Sequence, residues 1–245
     1  MTRGILAIAS GKGGVGKTWL AITLSHALAR AGQKVLLFDG DLGLANVDIQ
    51  LGLTPTADIA AIVAGRVPLS EAVVPVGGFH VLPGHSGSGA LASMPPAALE
   101  RLLGLLRGAA DYDTILLDLA AGLDRSVRRM AAFADRLLVV ATDEPTSLTD
   151  AYAVLKLYAS DAQVLNAGIV VNNASTRAAG ERTYQTLARA CDTFLGHKPP
   201  CLGIVRRDDH VRDAIRRQTL LLERHPNCPA AADVGAVASA LIVRT

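Results

Sequence analysis

Cysteine is scarce in this chain. Its three copies, Cys191, Cys201 and Cys228, form no CxxC pair, which excludes a disulfide framework or a cysteine-bound cluster and leaves small buried hydrophobes or thiols in a reducing compartment. Aromatic residues are only 4% of the chain, and none interrupts the basic segment of the C-terminal third, so the stacking platform that single-stranded nucleic acid uses is missing. No unbroken apolar run approaches the roughly 18 residues of a membrane span, and Met1 to Gly4 is too short for a signal peptide ahead of the first strand. A cytoplasmic protein is expected, at most peripheral at the inner membrane or a cell pole. The formal net charge of +2 is too small to draw nucleic acid by bulk attraction, so DNA is not expected as a partner. What remains is ample apolar material: 245 residues, 50% hydrophobic, suit one large α/β domain over 1–245.

The informative stretch is Gly11-Lys12-Gly13-Gly14-Val15-Gly16-Lys17-Thr18. It follows the apolar run Ile5 to Ala9, a predicted strand, and precedes a helical pattern starting near Trp19, which is the setting of a phosphate loop. Glycines 11, 13, 14 and 16 allow backbone conformations closed to other residues and a close approach to ligand. Their N–H groups would form an anion nest at the positive end of the helix. Lys17 would reach the β- and γ-phosphates, the Thr18 hydroxyl would ligate Mg²⁺, and Val15 and Trp19 complete the nucleotide-binding set. A glycine-rich turn with two accidental lysines is the bland alternative, and it does not account for the agreement of every fixed position with the flanking elements.

Three further strands end in polar residues. Val35 to Phe38 runs into Asp39-Gly40-Asp41, carboxylates at the carboxyl end of a parallel strand where open α/β sheets bind ligands; the bland reading is acids held by helix N-termini. Tyr112 to Asp118 has the arrangement in which an aspartate holds the Mg²⁺ water shell opposite Thr18. Ala167 to Val171 ends in Asn172-Asn173; the Asn172 amide can donate and accept, which matches the adenine edge, or it forms a turn after the strand.

Elsewhere the patterns are structural. Residues 57–74 carry short helical patterns that include Ala72, Val73 and Val74, and Phe79 to Leu82 reads as a strand. Pro83 to Ser93, with His85, is expected to be a mobile loop at the nucleotide edge. In Thr142 to Lys156, Thr146 or Ser147 reads as a helix N-cap and Asp150 as a first-turn acid. Arg206, Arg207, Arg212, Arg216, Arg217 and Arg224 form either a solvated basic face or a surface for an acidic protein, an anionic membrane or DNA. The tail from Ala230 reads as a core-packing helix, since a membrane-surface helix wants several bordering cations.

With its second lysine, Lys12, the loop resembles the deviant Walker A of the MinD/ParA family. The resemblance implies a doubly wound, mostly parallel α/β sheet with helices on both faces, and an ATPase that uses ATP and Mg²⁺ and dimerises on ATP. It further implies that Lys12 reaches the partner's nucleotide and acts with Lys17 in catalysis. Asp41 would position the attacking water and join Thr18, Asp39 and Asp118 around the metal, with Asp39 a supporting ligand or switch contact. Ala120-Ala121-Gly122 resembles switch II, whose Gly122 N–H would turn to the γ-phosphate, and Leu119 departs from the family's Ser or Thr. Asp41 to Asp48 and Thr142 to Lys156 look like the FlhG (FleN) branch, which sets flagellar number. In that reading Asp150 lies on the dimer face, Asn172 beside the base, and Arg206 in the loop near it. An FlhF-like GTPase or a transcription factor would be the partner. The N-terminal extension and membrane-seeking C-terminal helix of many such proteins are not visible. A partition or division-site ATPase and an ATP-sensing regulator of a transcription factor are the alternatives.

Overall fold

The computed structural model describes residues 4–55, 59–84, 94–161 and 166–243. His85 and most of the predicted loop around it, with Arg244, lie outside the described residues. The chain opens with β1 (Gly4–Ala9), α1 (Lys17–Arg30) and β2 (Val35–Gly40). Three short helices follow, α2 (Val47–Leu51), α3 (Ile59–Val63) and α4 (Leu69–Ala72), and then the hairpin β3 (Val74–Val76) and β4 (Phe79–Leu82). Strand and helix then alternate: α5 (Pro96–Gly108), β5 (Thr114–Leu119), α6 (Arg125–Phe133), β6 (Arg136–Ala141), α7 (Pro145–Asp161), β7 (Ala167–Ala174), α8 (Arg177–Leu195) and β8 (Cys201–Arg206). The chain closes with α9 (Asp209–Arg216), α10 (Leu221–Arg224) and α11 (Pro229–Val243).

The eight strands form one sheet in the order β3-β4-β2-β5-β1-β6-β7-β8. Pairing is parallel except between β3 and β4. Successive strand residues face opposite sides of a sheet, and the two cores divide accordingly. Ile5, Ala7 and Ala9 face a layer containing Leu102 of α5, Met130 of α6, Leu155 of α7 and Leu187 of α8. Leu6 and Ile8 face Leu20 and Leu24 of α1 and Val234 and Val237 of α11. Both faces are covered, which is why the strands read as continuous apolar runs. Phe38 of β2 is fully buried, and its truncation to Ala would cost about 3–5 kcal/mol.

Several boundaries differ from the sequence expectation. Val74 is not helical: it opens β3, pairing with Val81 across the turn at Gly77 and Gly78, and Pro75 is tolerated because β3 is an edge strand. α7 begins at Pro145, so neither Thr146 nor Ser147 is its N-cap and Asp150 falls in the second turn; a proline at the first helical position explains the earlier start. The Ser147 hydroxyl instead accepts the N–H of Thr142 at 3.0 Å. Asn172 and Asn173 do not follow β7 but lie within it, at a break in its register with β8. Asn173 has φ 58°, a conformation Asn tolerates, and such bulges re-aim side chains.

Candidate functional site

β1 lies between β5 and β6, so its carboxyl end, and the loop that leaves it, sits where chain connections depart to either side. That is the ligand crevice of an open α/β sheet. The loop from Gly11 to Thr18 caps the N-terminus of α1. Gly16 has φ 82°, and a Cβ there would stand 2.5 Å from Asn172 Nδ2, so only glycine fits. Gly11 is equally constrained, because a Cβ would collide with the backbone carbonyl of Asp150. A cavity of about 320 Å³ opens over the loop, bordered by Lys12, Gly13, Lys17, Thr18, Asp41, Asn46 and Gln50.

Three carboxylates converge beneath it. Asp39 and Asp118 are register partners at the ends of β2 and β5. Lys17 Nζ donates to Asp118 Oδ1 at 3.0 Å, and the Thr18 side chain also favours the charged form of that carboxylate. Burial raises the Asp118 pKa, against the pull of Lys17 and Thr18. Asp39 is fully buried. Its Oδ1 accepts the N–H of Asp41 at 3.1 Å, and its Oδ2 those of Asn46 at 2.9 Å and Val47 at 3.0 Å. Burial, then the neighbouring Asp118, push it up to about 7 against those three N–H bonds. Both of its oxygens are thus engaged with the loop that follows β2. Asp41 is half-buried and anchors the same loop, accepting the Leu44 N–H at 2.9 Å.

The surface end of the loop is arranged differently. Lys12 Nζ meets Glu144 in an ion pair and donates to Thr146 Oγ1 at 3.2 Å, so within a single chain it lies against the start of α7. The Gly122 N–H donates to the Ser10 carbonyl at 3.0 Å, which fastens the segment after β5 to the start of the phosphate loop. Leu119, in place of a hydroxyl residue, is fully buried at the end of β5.

A second cavity, of about 230 Å³, adjoins the first across Gly14, Gly16 and Trp19 and is bordered by Asn172, Arg206, Asp208 and Arg212. Asn172 Nδ2 donates to the Val15 carbonyl at 2.8 Å, which ties β7 to the phosphate loop. Arg206 is held by Asp233 of α11 through Nε at 2.8 Å and Nη2 at 3.0 Å. The arginine-rich segment is therefore not one solvated face: Arg206 is on Asp233, and Arg217 and Arg224 are on Asp213.

Glu144, Gln50 and Asp233 join these surroundings without a motif to mark them. Asp233 carried a signal, a lone acid in an otherwise apolar helix; Glu144 and Gln50 carried none, being ordinary surface residues until folding sets them beside the loop. The site fits a hydrated divalent cation. Asp118 Oδ2 is buried with no hydrogen-bond partner among the described residues, a costly condition that such a cation would relieve. Hydroxyl and carboxylate donors are the oxygen set that Mg²⁺ prefers.

The profile of the CobQ/CobB/MinD/ParA nucleotide binding domain matches residues 6–221. The chain is 36% identical over 236 residues to the antiactivator FleN of Pseudomonas aeruginosa, covering 96% of this chain and 84% of that one. It is 29% identical over 225 residues to the flagellum site-determining protein YlxH of Helicobacter pylori, covering 91% and 76%. Among solved structures, the septum site-determining protein MinD from Pyrococcus horikoshii, complexed with Mg-ADP, superposes with a TM-score of 0.83 at 27% identity, covering 98% and 96%.

Proposed function

This chain belongs to the CobQ/CobB/MinD/ParA nucleotide-binding family, as a MinD/ParA-type ATPase similar to FleN, and from that premise we propose that it is a slow, partner-stimulated switch acting in flagellar number or placement. ATP and Mg²⁺ are its cofactors. The observation that carries the reading is the pair Lys17–Asp118 under the glycine loop, with one Asp118 oxygen free. Thr18 and Asp118 would hold Mg²⁺, with Asp41 beside them, and the ion when bound neutralises charge on the β- and γ-phosphates.

The residues divide the work. Loop N–H groups cradle the phosphates, and Lys17 moves from Asp118 onto them. Asp41 orients the water whose oxygen forms the new bond to the γ-phosphorus as the bond to the ADP oxygen breaks. Lys12 leaves Glu144 and crosses to the nucleotide of a second copy, so a face-to-face dimer exists only while the triphosphate is intact. Gly122 exchanges the Ser10 carbonyl for the γ-phosphate, Asp150 lies on the dimer face, and Asn172 with Arg206 borders the base. Because a ligand shifts an equilibrium only through its differential affinity, loss of these γ-phosphate contacts releases the monomers. Light scattering of the protein with a non-hydrolysable ATP analogue and with ADP tests this: the analogue should double the mass, and a monomer in both would end the reading.

The partner is read as a flagellar regulatory or assembly protein, an FlhF-like GTPase or a transcription factor. The relative named an antiactivator favours the latter; pull-down with ATP against ADP distinguishes an ATP-selective partner. Counting flagella in a deletion strain tests the flagellar role. The competing partition role requires DNA or lipid binding, which co-sedimentation at two ionic strengths would reveal. Among the described residues no helix is long and apolar enough to cross a membrane, and we place the protein in the cytoplasm as a single domain.

A further inference from the structure

Beside the base-side cavity, three side chains of different chemistry meet. Asp208 is the N-cap of α9, accepting the His210 N–H on Oδ1 at 3.0 Å, and its other oxygen accepts the Ala230 N–H in the first turn of α11 at 3.1 Å. One carboxylate thus joins the starts of two helices. The residue just before α11, Cys228, brings its thiol up to the same carboxylate. His210 turns its Nδ1 to Asp208 Oδ1 at 2.7 Å. One ligand atom from each of Asp208, His210 and Cys228 lies within 4.8 Å of the others.

We propose that Asp208, His210 and Cys228 form a site for a transition-metal cation of the Zn²⁺ class at the rim of the base-side cavity. One carboxylate, one imidazole and one thiolate are a mixed O, N, S set that suits Zn²⁺ and is too soft for Mg²⁺. Zinc bonds of about 2.0–2.3 Å put tetrahedral ligand atoms roughly 3.3–3.8 Å apart, so the widest pair closes by up to about 1 Å while Asp208 Oδ1 and His210 Nδ1 open from 2.7 Å. His210 can supply that movement because it is exposed, whereas Cys228 is buried. Helix capping alone asks only for the carboxylate and accounts for neither the thiol nor the imidazole. Binding transfers the thiol proton to solvent and breaks the Asp208–His210 bond. The thiolate and carboxylate then balance the dication, so the occupied site is neutral and the local charge beside Arg206 and Arg207 rises by one. The fourth position is left to water: His225, whose ring centroid is 4.4 Å from that of His210, is engaged with Asp213 at 2.8 Å. Since Asp208 also borders the base-side cavity, an occupied site would stiffen that wall.

The test uses the full chain, free of nucleotide and stripped by chelator, in buffer with millimolar Mg²⁺. Titration with Co²⁺ should give one equivalent, with a near-ultraviolet thiolate charge-transfer band and the visible bands of a tetrahedral complex, both removed by Zn²⁺. Cys228→Ser should abolish the charge-transfer band, and each of Cys228→Ser and His210→Gln should weaken Zn²⁺ binding more than about 100-fold, because even outer-shell partners contribute about 10–100-fold. A band that persists in Cys228→Ser, or Zn²⁺ affinity unchanged in His210→Gln, overturns the assignment, as does the absence of stoichiometric binding. Metal-free melting of both variants controls for folding, and His210→Gln, at an exposed position, decides the matter should Cys228→Ser unfold.

Discussion

The two ends of the phosphate loop stand in opposite surroundings. At one end Lys12 is 38% exposed and pairs with Glu144, itself 59% exposed; at the other Lys17 is 9% exposed and pairs with Asp118 at 1%. An exposed pair contributes about 0–1 kcal/mol, so Lys12 can leave Glu144 at little cost. Breaking a buried pair by removing one partner costs about 3–5 kcal/mol, so Lys17 cannot abandon Asp118 unless another charge arrangement replaces it. The same residue type, in one loop, is loosely held at one end and locked at the other, which is what the proposed docking and phosphate-sensing roles require.

Lys17→Ala should break the comparison at its buried end. ATP affinity should fall more than about 100-fold, roughly the 3 kcal/mol of a charge-assisted contact, and the melting temperature should drop because Asp118 is left buried without its cation; near-normal binding by equilibrium dialysis would show that Lys17 does not serve the nucleotide. Lys12→Ala addresses the exposed end. Here ATP binding should stay within about threefold, under 1 kcal/mol, while the ATP-dependent dimer disappears in light scattering; an undiminished dimer would remove the cross-subunit role. Asp41→Ala sharpens the buried side by separating binding from turnover. An ATP-locked dimer with little phosphate release is expected, and ordinary turnover would reject Asp41 as the water-positioning group.

Asp39 gives a pH dependence of smaller size. Its folded pKa of about 7 lies above the ordinary 3.8, so the folded state holds the proton more tightly. Its contribution is complete below about pH 4 and is lost as pH rises to about 7, an effect on the order of a few kcal/mol. In the nucleotide-free protein, stability should therefore fall across that window, and Asp39→Asn should flatten the slope even if it lowers stability throughout by losing an acceptor for one of three N–H groups. An unchanged slope in urea unfolding at several pH values would assign the dependence elsewhere. The smallest effect belongs to Glu144→Ala: stability should move by no more than about 1 kcal/mol and the ATP-dependent dimer should form at least as readily, with a weakened dimer counting against the docking role of Lys12.

Much of this was legible in the chain. The phosphate loop and the strands that run into Asp39 and Asp118 follow from local spacing, and the resemblance carried by Lys12 and the Asp41 to Asp48 segment agrees with the family found. The failures are local as well. Val74 reads as helical because apolar residues next to a helical pattern carry no mark of the edge hairpin that Gly77 and Gly78 close. Asn172 and Asn173 read as following the strand because a bulge inside a strand looks, in sequence, like the end of that strand.

By itself the sequence determined which chemistry the protein can hold, because a phosphate loop is made of backbone geometry and contiguous residues specify it. It also determined that the strands are buried on both faces, because nearly unbroken apolar runs have no solvent side. Tertiary structure alone decided the pairings. Lys17 meets Asp118 across 101 residues, Lys12 meets Glu144 across 132, and Asn172 meets Val15 across 157. Those contacts depend on β1 lying between β5 and β6 and on β7 breaking its register, and the free energy that selects such an arrangement is summed over the whole buried sheet.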